Sequence, residues 1–190
     1  MRAFIAIELP CAIRDYLSQI QNKLKTSGSD VKWVDPKNIH LTIKFLGGIE
    51  DKTIDQITGI LEAVSCYRPF FYIRISRLGA FPNINAPRII WAGIDKGNNE
   101  SEEIAKELEK KIVKIGIPKE DKPFSAHLTI GRSRSAFNRG NLAKMIITLQ
   151  EEIMQEKIEF CVNKLTLFKS TLTPAGPIYT VLKEANLKIK

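Results

Sequence analysis

The tetrapeptide His-Leu-Thr-Ile occurs at residues 40–43 and again at 127–130, and the two copies hold the only two histidines of the chain. At ordinary residue frequencies such a coincidence is on the order of a one-in-a-thousand event. The flanking sequence decides between chance and design. Shifted by the same interval, "FIAIE" (4–8) falls on "WAGID" (91–95), and the periodic stretch 10–25 falls on 97–112. "KTIDQITGILEAV" (52–64) falls near "NLAKMIITLQEEI" (141–153), "IRISRL" (73–78) on "FCVNKL" (160–165), and Phe81 on Phe168. The chain therefore reads as a duplication, with approximate repeats 1–87 and 88–190 built into one bilobal domain.

Hydrophobic periodicity supplies the elements. Ile13, Leu17, Ile20 and Leu24 recur at helical spacing, as do Ile54, Ile57, Leu61 and Val64. Ile104, Leu108, Ile112 and Ile115 form a third such set, and Leu142, Met145, Ile146 and Leu149 a fourth. Strands are expected at 2–8, 31–34, 39–46, 70–78, 88–94, 126–131, 158–168 and 178–183, with a turn at "TPAGP" (173–177). Hairpin-like turns mixed with helical crossovers favour an α+β fold: two lobes related by a pseudo-two-fold, each a mostly antiparallel sheet with helices outside. The cleft between them is the expected active site.

Strand geometry gives the repeated motif its chemistry. Successive side chains alternate between faces, so His40 and Thr42 share one face while Leu41 and Ile43 take the other. His127 and Thr129 oppose Leu128 and Ile130 in the same way. Each copy thus anchors itself by two aliphatics and presents an imidazole beside a hydroxyl. An imidazole ordinarily titrates near neutrality, so a facing pair can act as general base and general acid. The hydroxyls suit the oxygens of a phosphate. Zinc usually takes three or four ligands. No further histidine exists, and no cysteine or carboxylate recurs at equivalent positions, so neither metal nor other cofactor is expected.

By strict alternation Lys44 shares the face of His40, which makes it a candidate phosphate contact. Arg132 has the opposite parity from His127 and reaches the phosphate only if Gly131 allows a bulge. Phe4 and Trp91 fall at equivalent strand positions and are assigned to the core. Tyr179 is read as packing, with base stacking as the alternative.

A net charge of +8 and the cluster Arg132, Arg134 and Arg139 suggest an anionic polymer as partner. Cys11, Cys66 and Cys161 have no metal or redox spacing and are read as small buried hydrophobes, with a reducing cytoplasm as the default. No run approaches the length of a membrane span, and "MRAFIAIELP" is broken by Glu8 and Pro10, so it reads as a first strand rather than a secretory signal.

The blocks "MRAFIAIELP", "WVDPKNIHLTIKFLGG", "FPNINAPRIIWAGI", "FSAHLTIGR" and "GPIYTVL" closely resemble the RNA 2′,3′-cyclic phosphodiesterases of bacteria and archaea, also called 2′-5′ RNA ligases. These belong to the two-histidine phosphoesterase superfamily, marked by paired His-x-Thr-x motifs. The resemblance spans nearly the whole chain. It implies a bilobal fold and metal-independent opening of a terminal 2′,3′-cyclic phosphate to a 2′-phosphate, with reverse 2′-5′ joining as a second activity. It further implies His40 as proton donor to the departing 3′ oxygen, His127 as the acceptor that activates water, and Thr42 and Thr129 as phosphate ligands. The implied partner is RNA bearing a cyclic phosphate end, tRNA-derived ends among them, acted on by a monomer. Two alternatives stay open: a phosphodiesterase of small cyclic nucleotides, and a non-catalytic RNA-binding module.

Overall fold

The computed structural model describes residues 1–174 and 176–188. Among these residues nine strands and four α-helices follow in the order β1 (Arg2–Glu8), α1 (Cys11–Lys25), β2 (Val31–Trp33), β3 (His40–Gly48), α2 (Ile54–Ser65), β4 (Phe71–Phe81), β5 (Ile89–Ile94), α3 (Asn98–Ile112), β6 (His127–Ser133), α4 (Arg139–Glu156), β7 (Glu159–Val162), β8 (Lys164–Thr173) and β9 (Gly176–Asn186). The strands form one antiparallel sheet in the order β7-β4-β5-β6-β3-β1-β8-β9, with β2 paired to β6.

The two histidine strands meet at the centre of this sheet. They pair through Leu41 and Leu128, the same position of the repeated tetrapeptide, so the pseudo-two-fold passes through that contact. One lobe is β3-β1-β8-β9 and the other β6-β5-β4-β7. Helices α2 and α3 pack on the first lobe, while α1 and α4 pack on the second. The apolar stripes explain this layering: Leu17, Leu24, Ile57, Leu61, Leu108 and Ile146 are wholly buried against strand residues such as Ile5, Leu41, Ile90 and Leu128. Helices cover one face of the sheet. The other, carrying the histidines, is left as a concave surface.

Both histidine strands carry a bulge at the residue after threonine. In β3, Ala6 pairs with Thr42 and Ile5 with Lys44, so Ile43 has no partner across β1. In β6, Trp91 pairs with Thr129 and Ile90 with Gly131, leaving Ile130 over. An extra residue inverts the parity beyond it. Buried Gln21 holds the second bulge by donating its Nε2 to the carbonyls of Val34 at 2.7 Å and Ile130 at 2.8 Å. Near the first, the Phe45 amide donates to Glu120 at 3.1 Å.

Three expectations change. The strand predicted at 158–168 is two: β7 pairs with β4 in one lobe, and β8 pairs with β1 and β9 in the other. The chain crosses between lobes near Asn163, where the apolar alternation shifts phase from Phe160 and Val162 to Leu165 and Leu167. Phe4 and Trp91 are not equivalent, since the residue paired to Thr42 is Ala6 while that paired to Thr129 is Trp91. The three cysteines are exposed rather than buried: Cys11 opens α1, Cys66 follows α2, and Cys161 lies on the outward face of edge strand β7.

Candidate active site

Each motif begins with the same local device. The Nδ1 of His40 lies 2.8 Å from the Asn38 carbonyl, and that of His127 lies 2.7 Å from the Ser125 carbonyl. A carbonyl only accepts, so each Nδ1 carries the proton and each neutral imidazole keeps its Nε2 lone pair free. Both acceptors sit two residues before the histidine. Asn38 ends a short 3-10 turn begun by Pro36, and its side-chain amide donates to the Pro177 carbonyl at 3.1 Å. That bond ties the start of β9, and with it Tyr179, to the histidine of β3.

Extending the central pairing by one residue on either side sets His40 opposite Thr129 and His127 opposite Thr42. The imidazoles then lie diagonally across the pair, about 7–8 Å apart at the strand level. A phosphoryl group accepting a bond of about 2.7–3.0 Å from each side fits that interval. His40, Thr42, His127 and Thr129 are all half-buried on the concave face, alternating with buried Leu41, Ile43, Leu128 and Ile130.

The environments of the two imidazoles differ. His40 stacks on Phe4 at 4.7 Å between ring centroids and meets Tyr179 edge-on at 5.3 Å. This burial pushes the His40 imidazole below its ordinary value, against the smaller opposing pull of the Asn38 carbonyl. His127 has a single aromatic neighbour among the described residues, Phe81, edge-on at 5.2 Å. Burial also pushes the Tyr179 phenol up, while the positive charge of Arg132 acts in the other direction. Arg132 and Tyr179 stand on strands of different lobes, β6 and β9.

The bulges sort the two predicted cations. Beyond Ile130 the parity inverts, so Gly131 joins the core and Arg132 turns out onto the concave face, exposed. Lys44 is a correction. The bulge at Ile43 turns it into the core, where it is 2% exposed and bonded to Glu109 at 2.6 Å, with Glu120 at 3.5 Å. It faces away from the histidines. Phe45 takes the concave side in its place, 58% exposed and 6.3 Å from Phe4.

Phe4 is buried and Tyr179 packs, as expected, but they do so with Ala6 and Phe168 in a small apolar cluster beneath His40, separate from the main core. The sequence reading missed Phe45 and the two anchoring carbonyls. Among the described residues, no three His, Cys, Asp or Glu side chains come together in a way that could hold a metal ion.

A curled antiparallel sheet of two lobes, with a matched imidazole and hydroxyl from each on one hollow face, defines the class of two-histidine phosphoesterases. The sequence comparisons agree. A family model described as LigT like phosphoesterase matches residues 7–91 and again residues 94–179. A protein of Methanothermobacter thermautotrophicus named RNA 2′,3′-cyclic phosphodiesterase is 36% identical over 181 residues, covering 95% of each chain. A protein of the same name from Methanocaldococcus jannaschii is 35% identical over 184 residues, covering 97% of this chain and 99% of its own. A crystal structure from Thermus thermophilus superposes with a TM-score of 0.81 at 26% identity, covering 98% of both chains. The fold is also that of E. coli LigT complexed with 3′-AMP, with a TM-score of 0.75 at 22% identity and coverage of 98% and 97%. The chain belongs to the LigT-like phosphoesterase family.

Proposed function

We propose that this protein opens 2′,3′-cyclic phosphate ends of RNA to 2′-phosphates by metal-independent acid–base catalysis between His40 and His127. The observation that carries the reading is the twofold anchoring of Nδ1 on the carbonyl two residues back, which leaves two Nε2 atoms free on one face. The activity is the one named for the relatives from Methanothermobacter and Methanocaldococcus.

In this mechanism His127 Nε2 accepts a proton from water as the water oxygen attacks phosphorus. The bond from phosphorus to O3′ breaks, and His40, protonated at Nε2, gives its proton to that oxygen. The products are a 2′-phosphate and a free 3′-hydroxyl, and two proton transfers balance the added water. Burial makes the His40 imidazolium a ready donor, and the anionic substrate favours its protonation on arrival. Thr42, Thr129 and Arg132 hold the non-bridging oxygens. The same sequence, with a 5′-hydroxyl attacking phosphorus in place of water and the 3′ oxygen leaving, joins ends in 2′-5′ linkage. Both imidazoles belong to one chain, so a monomer suffices.

The test is incubation with an oligonucleotide ending in a 2′,3′-cyclic phosphate, with and without excess EDTA, and identification of the product isomer. A 2′-phosphate formed at the same rate with EDTA is expected. Loss on chelation with rescue by zinc or manganese would overturn the mechanism. Turnover confined to cyclic mononucleotides would move the substrate to the small-molecule alternative.

A further inference from the structure

The two lobes present different rows of side chains beside their histidines. In the first lobe His40 pairs across the sheet with Glu8, on whose far side lies Lys164. Lys164 is neutralised by Glu8 at 3.4 Å and by Glu184, and Glu8 also takes the Thr166 hydroxyl at 3.2 Å and Arg14 at 3.8 Å. In the second lobe His127 pairs with Gly93, and Gly93 with Arg77. The same row therefore reads imidazole, carboxylate, neutralised lysine on one side, and imidazole, bare glycine, arginine on the other.

The second row is built for the arginine. The guanidinium of Arg77 lies 5.8 Å from the centre of the Trp91 ring, within cation–π range. A Cβ on Gly93 would come within 2.8 Å of Cγ and Nε of Arg77 and within 2.8 Å of Trp91, and one on Gly79 would run into the indole itself. Both glycines are bare so that the tryptophan and the arginine can lie flat against the sheet. Arg74, on the same strand, takes Asp95 and Glu159, and among the described residues no carboxylate pairs with Arg77.

The geometry points to Arg77 as a subsite for the RNA phosphodiester next to the cyclic end, so that the RNA strand leaves the cleft across the second lobe. Two strand spacings of about 4.8 Å separate the His127 and Arg77 backbones, and the long arginine side chain shortens that gap. With no side chain at Gly93, the Arg77 stem itself lies over that position, on the side of His127. Across the first lobe the strand would meet the Glu8 carboxylate immediately beside His40, and that lobe offers aromatic side chains instead, with exposed Phe45 and half-buried Tyr179 suited to the terminal base. A guanidinium held flat by stacking loses little side-chain freedom on meeting a phosphate.

This inference rests on the proposed reaction only for the chemistry of the RNA end, so its test is binding rather than turnover. The probes are an RNA pentanucleotide ending in a 2′-phosphate and the corresponding nucleoside 2′-phosphate, titrated over a range of salt. The wild-type protein should bind the pentanucleotide more tightly than the mononucleotide. Arg77→Met, which keeps the stem over Trp91, should reduce that preference about tenfold and the salt slope by about 0.7, the release expected for one single-strand phosphate contact. Mononucleotide affinity should be unchanged, and Arg77→Lys should recover part of the preference. Lys164→Met should leave the ratio of the two affinities as in the wild type. An Arg77→Met variant with intact pentanucleotide preference and salt slope, or a Lys164→Met variant that loses the preference instead, would overturn the proposal. Failure to open cyclic phosphates, with the Arg77 effect on binding intact, would count against the proposed reaction alone.

Discussion

Replacing Glu109 by glutamine should destabilise the protein more than replacing the lysine it holds, and removing both should recover stability. Lys44 is 2% exposed with Glu109 at 2.6 Å, and the Glu109 carboxylate also accepts the Glu120 amide at 2.7 Å. Burial pushes that carboxyl up, but the bonds from Lys44 and the Glu120 amide outweigh it and hold it below its usual range. Glu109→Gln leaves a buried ammonium with Glu120 at 3.5 Å, 39% exposed, as its remaining carboxylate. Breaking a buried pair in this way costs about 3–5 kcal/mol, and the second carboxylate puts this case near 3 kcal/mol. For a chain of this size that is about 6–12 °C in Tm. Lys44→Met leaves instead a carboxylate that is 19% exposed and can rehydrate, for about 1–2 kcal/mol. The double variant Lys44→Met/Glu109→Gln has no buried charge, and its Tm should lie above that of Glu109→Gln alone. Thermal unfolding of the three proteins at fixed pH measures this directly. A double variant less stable than Glu109→Gln would refute the burial argument. A Lys44→Met protein of wild-type Tm but raised KM for a cyclic phosphate end would return Lys44 to the site.

Because the His40 imidazole is held below its unfolded value, the folded state binds fewer protons there, and stability should fall as pH drops below about 6.5. Urea unfolding from pH 5 to 8 should show that loss in the wild type and its absence in His40→Gln; the opposite slope would mean a charge partner stabilises the imidazolium. Gln21→Ala leaves the Ile130 carbonyl one donor short at the β6 bulge, and urea unfolding should register a loss of about 1–3 kcal/mol. Neutralising Arg132, Arg134 and Arg139 together should weaken binding of an RNA end and flatten its salt dependence in a filter-binding titration; an unchanged slope would mean that those charges do not meet the RNA.

Why the sequence led to Arg132 only conditionally and to Lys44 wrongly has one physical origin. Alternation is a rule about neighbours, and it held from His40 to Ile43 and from His127 to Ile130. An extra residue directly after each threonine then reversed it. The sign of the first bulge was present in the chain: Ile43 and Leu46 are both apolar but three apart, which no uninterrupted strand can bury on one face. The histidine frames were legible because the chain has no other imidazoles. The contacts of Phe4 and Tyr179 with His40 were not, since β1 and β9 are far from β3 in sequence and the pairing that joins them leaves no local pattern. Nor did hydrophobic periodicity reveal that β7 and β8 serve opposite lobes. They follow one another with only Asn163 between, and the pairing assigns each to its lobe.

The most direct test of the central claim is single-turnover cleavage of an oligonucleotide bearing a 2′,3′-cyclic phosphate by the wild type, His40→Ala, His127→Ala and the double variant, across pH. One positioned acid or base contributes about 10²- to 10⁴-fold, so each single variant should fall by at least about 10²-fold while remaining folded. The double variant should lose far less than the product of the two, because the groups act as a unit. The wild type should follow a bell-shaped pH profile and yield only the 2′-phosphate. A histidine that can be replaced without loss, or a 3′-phosphate product, would contradict the paired acid–base mechanism.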